Sequence, residues 1–358
     1  MGKRVLMKGN EAIAEAAIRA GCRFYFGYPI TPQTEIAHYM AKKMPLVGGG
    51  TFVQAESEVA AINMVYGAAS AGARVMTSSS SPGISLKQEG ISYSACAQLP
   101  MVIADIVRCG PGLGGILPAQ CDYFQMVKGG GHGDYKLVVL APSSVQELYE
   151  LTVEAFNIAD RYRIPTVIMG DGNLGQMMEP VEFKDEENVE VIEKPWATTG
   201  TKMKRENNMV TSIHIQPEKL EAVNRELQEK YKVITDAEVK VECVNCEDAD
   251  IIVTAYGSVA RIVNNVIKDA AADGIKIGLI RPISLWPFPS DAYKKYAAST
   301  STKAFLSVEM SAGQMVEDVR LAVNGEKPVY FYGRMGGIIP TQKEILDEIK
   351  KILAGGVK

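Results

Sequence analysis

Residues 52–92 read FVQAESEVAAINMVYGAASAGARVMTSSSSPGISLKQEGIS, and this stretch decides the fold. The β-prone run TFVQA is followed by a predicted helix from Glu56 to about Ser70. The next run, RVMTSS, is followed by a predicted helix from about Ser85 to Gln98. Short apolar runs that alternate with helices are typical of parallel strands joined by crossover helices. The stretch therefore predicts an α/β fold.

The same alternation extends in both directions, from the start of the chain to about residue 180. Further strands are predicted at CRFYFGYP, MVIADIVR, KLVVLA and PTVIMGD. After the first of these, Thr31-Pro32 predicts a helix start, with Thr31 as the N-cap and Pro32 at the first helical position. A long amphipathic helix is predicted from Pro142-Ser143-Ser144 to Arg161. Because unbroken apolar runs indicate strands covered on both faces, residues 1–180 are predicted to form a doubly wound parallel sheet.

The remaining chain divides into two parts. Residues 181–247 are predicted to be a charged connecting segment, with one amphipathic helix in QPEKLEAVNRELQEKYK. The strand–helix alternation returns over residues 248–358, with strands at IIVTAYGS, IKIGLIRP, KAFLSVEMS and PVYFYGR. These residues predict a smaller, second α/β domain.

Length and composition exclude several classes of protein. A chain of 358 residues with 47% hydrophobic and 22% charged residues is typical of a globular protein of two domains. The net charge of −4 argues against a nucleic-acid partner. No apolar run approaches the ~20 residues that span a bilayer, so no membrane partner is expected. The chain start lacks a signal-peptide pattern, and we expect a cytoplasmic location.

Polar residues follow the predicted strands of the first domain at their carboxyl ends, where ligands bind in open parallel sheets. These residues are Tyr28 to Pro32, Glu56 to Glu58, Ser78 to Gly83, and Arg108 followed by a glycine-rich loop with Gln120, Asp122 and His132. We therefore expect a ligand site at this edge of the sheet.

Three motif matches are interpreted as incidental. Gly110 to Gly115 satisfies GxGxxG, but ILPAQCDY follows it, whereas a nicotinamide site needs a helix there. Gly170-Asp171-Gly172 with Asn207-Asn208 resembles a magnesium–diphosphate motif, but the charged segment intervenes. Cys243 and Cys246 form a CxxC without the second close pair that a zinc or iron–sulfur site needs. No metal site is predicted in this chain.

Several of these stretches together resemble one known family. They are FGYPITPQTEI, the quoted stretch 52–92, VRCGPGLGGILPAQCDYFQMVKGGGHGDY, RPISLWPFP, SVEMSAGQMVEDV and GRMGGIIPT. The family is the alpha-type, pyrimidine-domain subunit of the 2-oxoacid:ferredoxin oxidoreductases, and the likeness is closest to the 2-ketoisovalerate (3-methyl-2-oxobutanoate) member.

The resemblance implies an enzyme that is active only as a complex. It implies oxidative decarboxylation of a branched-chain 2-oxoacid with CoA, giving acyl-CoA, CO₂ and reduced ferredoxin. It further implies thiamine diphosphate shared with a beta-type, diphosphate-binding subunit, with Mg²⁺ and [4Fe-4S] clusters in partner subunits. Gamma-type and delta-type, ferredoxin-like subunits complete such an enzyme. The second domain then resembles the transketolase C-terminal type and is given no catalytic residue.

The resemblance also assigns roles to individual residues. Glu58 matches the glutamate that hydrogen-bonds the aminopyrimidine N1′, and Glu56 is the competing candidate. Thr31 matches a threonine near the reacting carbon, and Arg108 an arginine that pairs with the substrate carboxylate. The remaining expected cofactor contacts are Pro29, Ile30, Ser79 and Ser80.

Two alternatives stay open at this point. The same type of complex could act on 2-oxoglutarate or pyruvate, because one methylene in a pocket changes binding by only about 1–3 kcal/mol. Alternatively, the chain could be a non-catalytic binding or scaffold protein of the same fold. The sequence leaves the subunit stoichiometry, the electron acceptor and any role of Cys243 and Cys246 undetermined.

Overall fold

The computed structural model describes residues 4–184 and 187–355, which form fourteen strands and eleven α-helices. The strands are β1 Arg4–Lys8, β2 Phe24–Gly27, β3 Thr51–Gln54, β4 Val75–Ser79, β5 Met101–Val107, β6 Val138–Leu140, β7 Pro165–Asp171, β8 Met178–Glu182, β9 Val241–Val244, β10 Ile251–Thr254, β11 Ile277–Pro282, β12 Ser284–Trp286, β13 Ala304–Glu309 and β14 Val329–Gly333. The helices are α1 Gly9–Arg19, α2 Thr34–Lys43, α3 Glu58–Ser70, α4 Ser81–Cys96, α5 Val145–Tyr162, α6 Gly172–Gln176, α7 Pro217–Ala237, α8 Gly257–Ala272, α9 Ser290–Ala297, α10 Met315–Val323 and α11 Gln342–Leu353.

The first sheet has seven strands in the order β12-β6-β7-β5-β4-β2-β3, and all except β12 run parallel. Helices cover both faces, so β5 and β7 are buried along their whole length. This confirms the predicted doubly wound parallel sheet. The carboxyl ends of β2, β3, β4 and β5 lie side by side at one edge.

The second sheet has the order β14-β13-β10-β11-β9, and only β9 is antiparallel to its neighbour. Two short strands cross the predicted domain limits. Strand β9 lies within residues 181–247 but pairs with β11, and β12 follows β11 in the chain but pairs with β6 of the first sheet. A small third sheet pairs β1 with β8.

The predicted helix start at Thr31-Pro32 is wrong, because residues 30–33 form a turn. The Gln33 N–H donates to Ile30 O, and α2 begins at Thr34. The Pro32 carbonyl accepts hydrogen bonds from the side chains of Asn10 and Gln176. It is therefore not part of the helix.

Two further helix starts differ from the predicted positions. Helix α3 begins at Glu58 rather than Glu56, because Ser57 is the N-cap and accepts a hydrogen bond from Ala60 N–H at 3.1 Å. Helix α4 begins at Ser81 rather than near Ser85, with Pro82 in the first turn, a position where proline is favoured. The serine run therefore opens the helix instead of preceding it.

The connecting segment contains the predicted amphipathic helix as α7. Its apolar side, Leu227, Tyr231 and Ile234, is buried against the first sheet. The described residues contain no helix long and apolar enough to cross a membrane.

The two main sheets share one hydrophobic core. A single cluster joins Ile103 and Met169 of the first sheet with Ile252, Ile280 and Phe305 of the second. Polar contacts reinforce the junction: the Gln120 side chain donates to Tyr256 O at 2.9 Å and accepts from Met310 N–H at 3.0 Å. The edge of the first sheet that carries the polar residues therefore adjoins the second sheet.

Candidate active site

The candidate site lies at the carboxyl ends of β2 to β5, where the sequence predicts it. Strand β3 leads to Glu58, β4 leads to Ser79 and Ser80, and β5 leads to Arg108. The loop after β2 carries Thr31, whose carbonyl oxygen accepts a hydrogen bond from Arg108 Nη1 at 3.0 Å. Parallel strands of similar length bring these residues to one edge.

Glu58 is the buried member of the two candidate carboxylates. It occupies the first turn of α3 and is only 6% exposed, whereas Glu56 is exposed and precedes the helix. A helix N-terminus attracts negative charge. The Glu58 carboxyl packs over Gly83 of α4: a Cβ at Gly83 would lie 2.5 Å from Glu58 Oε1 and closer still to Ser79 Oγ. Glycine at position 83 is therefore required by the close approach of these two side chains.

Two buried hydroxyls at the end of β4 have no hydrogen-bond partner in the described part of the chain. Neither Ser79 Oγ nor Ser80 Oγ makes a hydrogen bond to a described residue. A buried, unpaired hydroxyl costs about 1–3 kcal/mol. Such groups in a native protein indicate a polar partner that the chain itself does not supply.

Arg108 is held by backbone carbonyls. Its Nη1 donates to Thr31 O and its Nη2 to Leu113 O, both at 3.0 Å, while Nε is buried without a partner in the described part of the chain. Two donors therefore fix the guanidinium plane, and a third remains available to an anion.

The loop after β2 contributes a surface to the site rather than buried polar atoms. Pro29 and Thr31 are exposed, and Ile30 is half-buried. Its conformation is held by the Gln33 side chain, which donates to Tyr28 O at 3.2 Å. Gln33 in turn accepts a hydrogen bond from Ser78 Oγ at 2.5 Å.

Sequence reasoning missed two charged residues below the site, Asp105 and Lys87, and included Ser81 only as a member of the serine run. Ser81 Oγ donates to Asp122 Oδ2 at 2.6 Å and accepts from Arg108 N–H at 3.1 Å. Asp105 is fully buried and faces Asp122; burial and the charge of Asp122 raise its pKa well above the usual value. Asp105 was a visible signal, since it is a charge inside the apolar run MVIADIVR. Lys87 was not, because Gln88, Glu89 and two serines surround it in SPGISLKQEG.

A cavity of about 420 Å³ opens between the two sheets next to Arg108. It is lined by the first turn of α4, by the start of the glycine-rich loop and by residues after β13; the lining includes Ser81, Cys109, Cys121, Asp122, Met310 and Gln314. The site therefore adjoins a space that both domains enclose.

The polar residues of the magnesium–diphosphate-like motif form hydrogen bonds within the protein. Both carboxylate oxygens of Asp171 accept backbone N–H groups, from Asn173 and Leu174 of α6 and from Ser258 of α8. The Asn208 side chain donates to carbonyls of its own segment. Among residues 4–184 and 187–355, no three His, Cys, Asp or Glu side chains are grouped as metal ligands would be.

The CxxC cysteines lie at the edge of the second sheet. Cys243 is exposed on β9, and Cys246 is buried and donates to Leu279 O at 3.2 Å. The neighbouring Cys246 thiol lowers the pKa of Cys243 to about 7. The His132 ring packs edge-on against Tyr93, with 6.1 Å between the ring centroids.

Two family models together match most of the chain. Residues 15–245 match "Pyruvate flavodoxin/ferredoxin oxidoreductase, thiamine diP-bdg", and residues 249–345 match "Pyruvate:ferredoxin oxidoreductase core domain II". The first match contains the whole candidate site, and the second contains the strands of the second sheet after β9.

Relatives of known name resemble the chain over almost its full length. A ketoisovalerate oxidoreductase subunit VorB of Methanothermobacter marburgensis is 51% identical over 97% of both chains. A 2-oxoglutarate synthase subunit KorA of Archaeoglobus fulgidus is 40% identical, covering 92% of this chain and 95% of the relative.

Solved structures show the same architecture. A 2-oxoglutarate:ferredoxin oxidoreductase from Magnetococcus marinus, solved with 2-oxoglutarate, coenzyme A and succinyl-CoA bound, superimposes with a TM-score of 0.88 at 27% identity. The match covers 98% of this chain but 65% of that one, so the chain spans somewhat less than two thirds of its length. A split-gene transketolase, at 14% identity and a TM-score of 0.58, shares the fold.

Proposed function

The chain belongs to the 2-oxoacid:ferredoxin oxidoreductase family, and from this we propose that it carries the aminopyrimidine half of a thiamine diphosphate site. The enzyme would convert 3-methyl-2-oxobutanoate, CoA and oxidised ferredoxin to acyl-CoA, CO₂ and reduced ferredoxin. The observation that carries the proposal is the buried Glu58 carboxyl over Gly83, next to two unpaired serine hydroxyls. The 51% identity to a ketoisovalerate oxidoreductase subunit favours the branched-chain substrate.

The residues present fit the aminopyrimidine. The hydroxyls of Ser79 and Ser80 are buried and free to pair with ring nitrogens or an exocyclic amine. The missing side chain at Gly83 makes room for the Glu58 carboxyl beside Ser79 Oγ, so these two polar groups can act on the same ring. Thiamine diphosphate, when bound, supplies the nucleophilic carbon that attacks the 2-oxo group and accepts the electrons of decarboxylation.

In the proposal each residue of this chain has a separate task. Glu58 exchanges a proton with the ring nitrogen N1′ and so acts as a general acid and base. Arg108 uses its free Nε–H to bind the substrate carboxylate, while its other donors keep it in position. Thr31, whose carbonyl accepts from Arg108 and whose side chain is exposed, contacts the 2-oxo group through its hydroxyl in this proposal. Pro29 and Ile30 supply an apolar contact to the pyrimidine.

The diphosphate end, Mg²⁺ and the iron–sulfur clusters belong in this proposal to partner chains. A beta-type subunit would complete the cofactor site, and gamma-type and delta-type subunits would carry electrons to ferredoxin. The grouping of Glu58, Ser79 and Arg108 at one edge of the first sheet supports this division, because it gives this chain polar groups for the aminopyrimidine and for the substrate carboxylate.

The experiment compares the assembled complex with its Glu58→Gln and Glu56→Gln variants. Glu58→Gln should lower turnover about a hundredfold or more, since an amide cannot exchange the proton. Glu56→Gln changes an exposed carboxylate two residues away and should retain wild-type turnover. Full turnover of the Glu58→Gln complex would contradict the catalytic assignment and favour the scaffold alternative.

Substrate class is tested with the same complex and a panel of 2-oxoacids. We expect the largest kcat/KM with 3-methyl-2-oxobutanoate, by about tenfold over pyruvate, which corresponds to about 1.4 kcal/mol of pocket contacts. Higher values with 2-oxoglutarate or pyruvate would replace the branched-chain assignment and leave the family assignment unchanged.

A further inference from the structure

One buried charge near the candidate site has no role in the function proposed above. Lys87 of α4 is completely buried, and its ammonium makes one hydrogen bond in the described part of the chain, to Thr77 Oγ1 at 3.1 Å. An ammonium has three donors, and burying it with two of them unpaired is costly. A methionine would fill the same space without that cost. Lys87 is therefore a candidate for a functional group rather than a packing residue.

The backbone directs Lys87 toward Glu58. Gly83 and Lys87 are four residues apart on α4 and share a helix face, and helical side chains lean toward the N-terminus of their helix. The Lys87 side chain therefore extends along α4 toward Gly83, and the Glu58 carboxyl packs against Gly83. Thr77, its hydrogen-bond partner, precedes Ser79 by two residues and lies on the same face of β4.

The electrostatic surroundings of Lys87 are simple. Burial lowers the pKa of Lys87 to about 8, and the negative charge of Glu58 opposes that shift. Helix α3 contributes Glu58, and β4 contributes only the neutral Thr77. Strand β5 carries the carboxyl of Asp105, which faces Asp122. Glu58 is therefore the charged group that interacts electrostatically with the Lys87 ammonium.

We propose that Lys87 is a positioning residue whose buried ammonium attracts the Glu58 carboxylate and so keeps the shared proton on N1′ of the aminopyrimidine rather than on Glu58. This inference rests on the proposed function, because it assumes that Glu58 meets the ring. In the proposal, loss of the Lys87 charge moves that proton back to Glu58, and the ring is then held less often in its protonated form. Lys87 itself does not touch the substrate.

The pairing is tested first without cofactor, in the full chain labelled at lysine Cε. Lys87 should titrate near pH 8, and Glu58→Gln should lower that midpoint by about one pH unit, because the attracting charge is removed. Lys230 of α7 is the matched control: its pKa is also lowered to about 8 by burial, but its charged neighbours are Arg163 and Glu226. An unchanged Lys87 midpoint in the Glu58→Gln chain would overturn the pairing.

The second test uses the assembled complex with thiamine diphosphate and records the circular dichroism bands that distinguish the protonation states of the bound pyrimidine. The circular dichroism spectrum of Lys87→Met at pH 7 should match that of the wild type at about pH 9, where Lys87 is neutral. Lys87→Arg keeps its charge, so its spectrum at pH 9 should match the wild type at pH 7. Lys230→Met should leave the profile unchanged.

The outcomes separate this inference from the function on which it rests. We expect Lys87→Met to lower kcat about tenfold with KM unchanged. Identical pH midpoints for the wild type, Lys87→Met and Lys87→Arg, with Glu58→Gln inactive, would reject the role of Lys87 alone. Full turnover of Glu58→Gln would instead reject the proposed function. If neither Lys87 variant assembles, the titration of Lys87 in the Glu58→Gln chain still decides whether the two groups interact.

Discussion

At the scale of single residues, the site is marked by polar groups that the chain buries without satisfying. Ser79, Ser80 and Arg108 each have a buried donor without a described partner. Asp105 has two buried carboxyl oxygens that likewise have no described partner. A stable core would replace these groups by apolar ones of the same shape. Ser79, Ser80 and Arg108 lie at the same edge of the sheet as Glu58, which indicates that they serve ligand binding.

Asp105 gives a prediction about pH. Its raised pKa means that the folded chain holds a proton that the unfolded chain releases above about pH 4. The stability contributed by this proton is complete below that pH and is lost as the pH rises toward the folded-state pKa. Asp105→Asn is neutral at every pH. The stability of this variant relative to the wild type should therefore grow by more than about 1 kcal/mol between pH 5 and pH 7.

Thermal unfolding of the purified chain at several pH values measures this difference. Asp134→Asn, at an exposed aspartate, serves as the control and should show a nearly constant difference from the wild type. A pH-independent difference for Asp105→Asn would mean that Asp105 is ionised in the folded chain.

At the scale of elements, two helix starts build the site. Helices α3 and α4 begin one after the other at the same sheet edge, and their contact is close because α4 has glycine at position 83. Helix α3 carries Glu58 and helix α4 carries Lys87. The two helices can pack closely because residue 83 has no side chain.

Gly83→Ala tests this contact. The new methyl group would displace the Glu58 carboxyl or Ser79, so turnover of the complex should fall at least about tenfold, and overpacking should cost about 1–3 kcal/mol. Gly67→Ala on α3 is the control, because its Cβ would meet nothing within 4 Å. It should stabilise the chain by up to about 1 kcal/mol through helix propensity and leave turnover unchanged. Wild-type turnover of Gly83→Ala would show that the Glu58 position is not critical.

At the scale of the whole molecule, the two sheets are one mechanical unit. They share a hydrophobic cluster, and the contacts of Gln120 and Asp171 tie the loops at the sheet edge to the second domain. Arg281 of β11 adds a bidentate pair with Glu147 at 2.9 Å for both bonds. The second domain therefore supports the site without contributing a proposed catalytic residue.

Gln120→Ala should expose this coupling. It leaves the Met310 N–H unpaired in the interior and removes one of the two hydrogen bonds that Tyr256 O accepts, which should lower the free energy of unfolding by about 1–3 kcal/mol. Because the core is continuous, thermal unfolding should remain a single transition. Gln228→Ala, at an exposed glutamine, should change stability little. Two separate transitions in the Gln120→Ala chain would show that the domains unfold independently.

The sequence by itself determined the α/β class, the doubly wound first sheet and the edge at which Glu58, Ser79 and Arg108 meet. These follow from local patterns: apolar runs that alternate with helices, and polar residues at the carboxyl ends of strands. The family resemblance, confirmed by the matches over nearly the whole chain, added what no spacing could supply.

Only the tertiary structure decided how distant residues meet. It buried Glu58 and exposed Glu56, and it kept Thr31-Pro32 out of α2. It also placed β9 and β12 in sheets that their positions in the chain do not predict. Finally, it buried Lys87 within α4 next to the site. Burial and pairing depend on contacts between segments far apart in the chain, and a local pattern carries no information about such contacts. The electrostatics of the site therefore emerge only when the sheets and helices are packed.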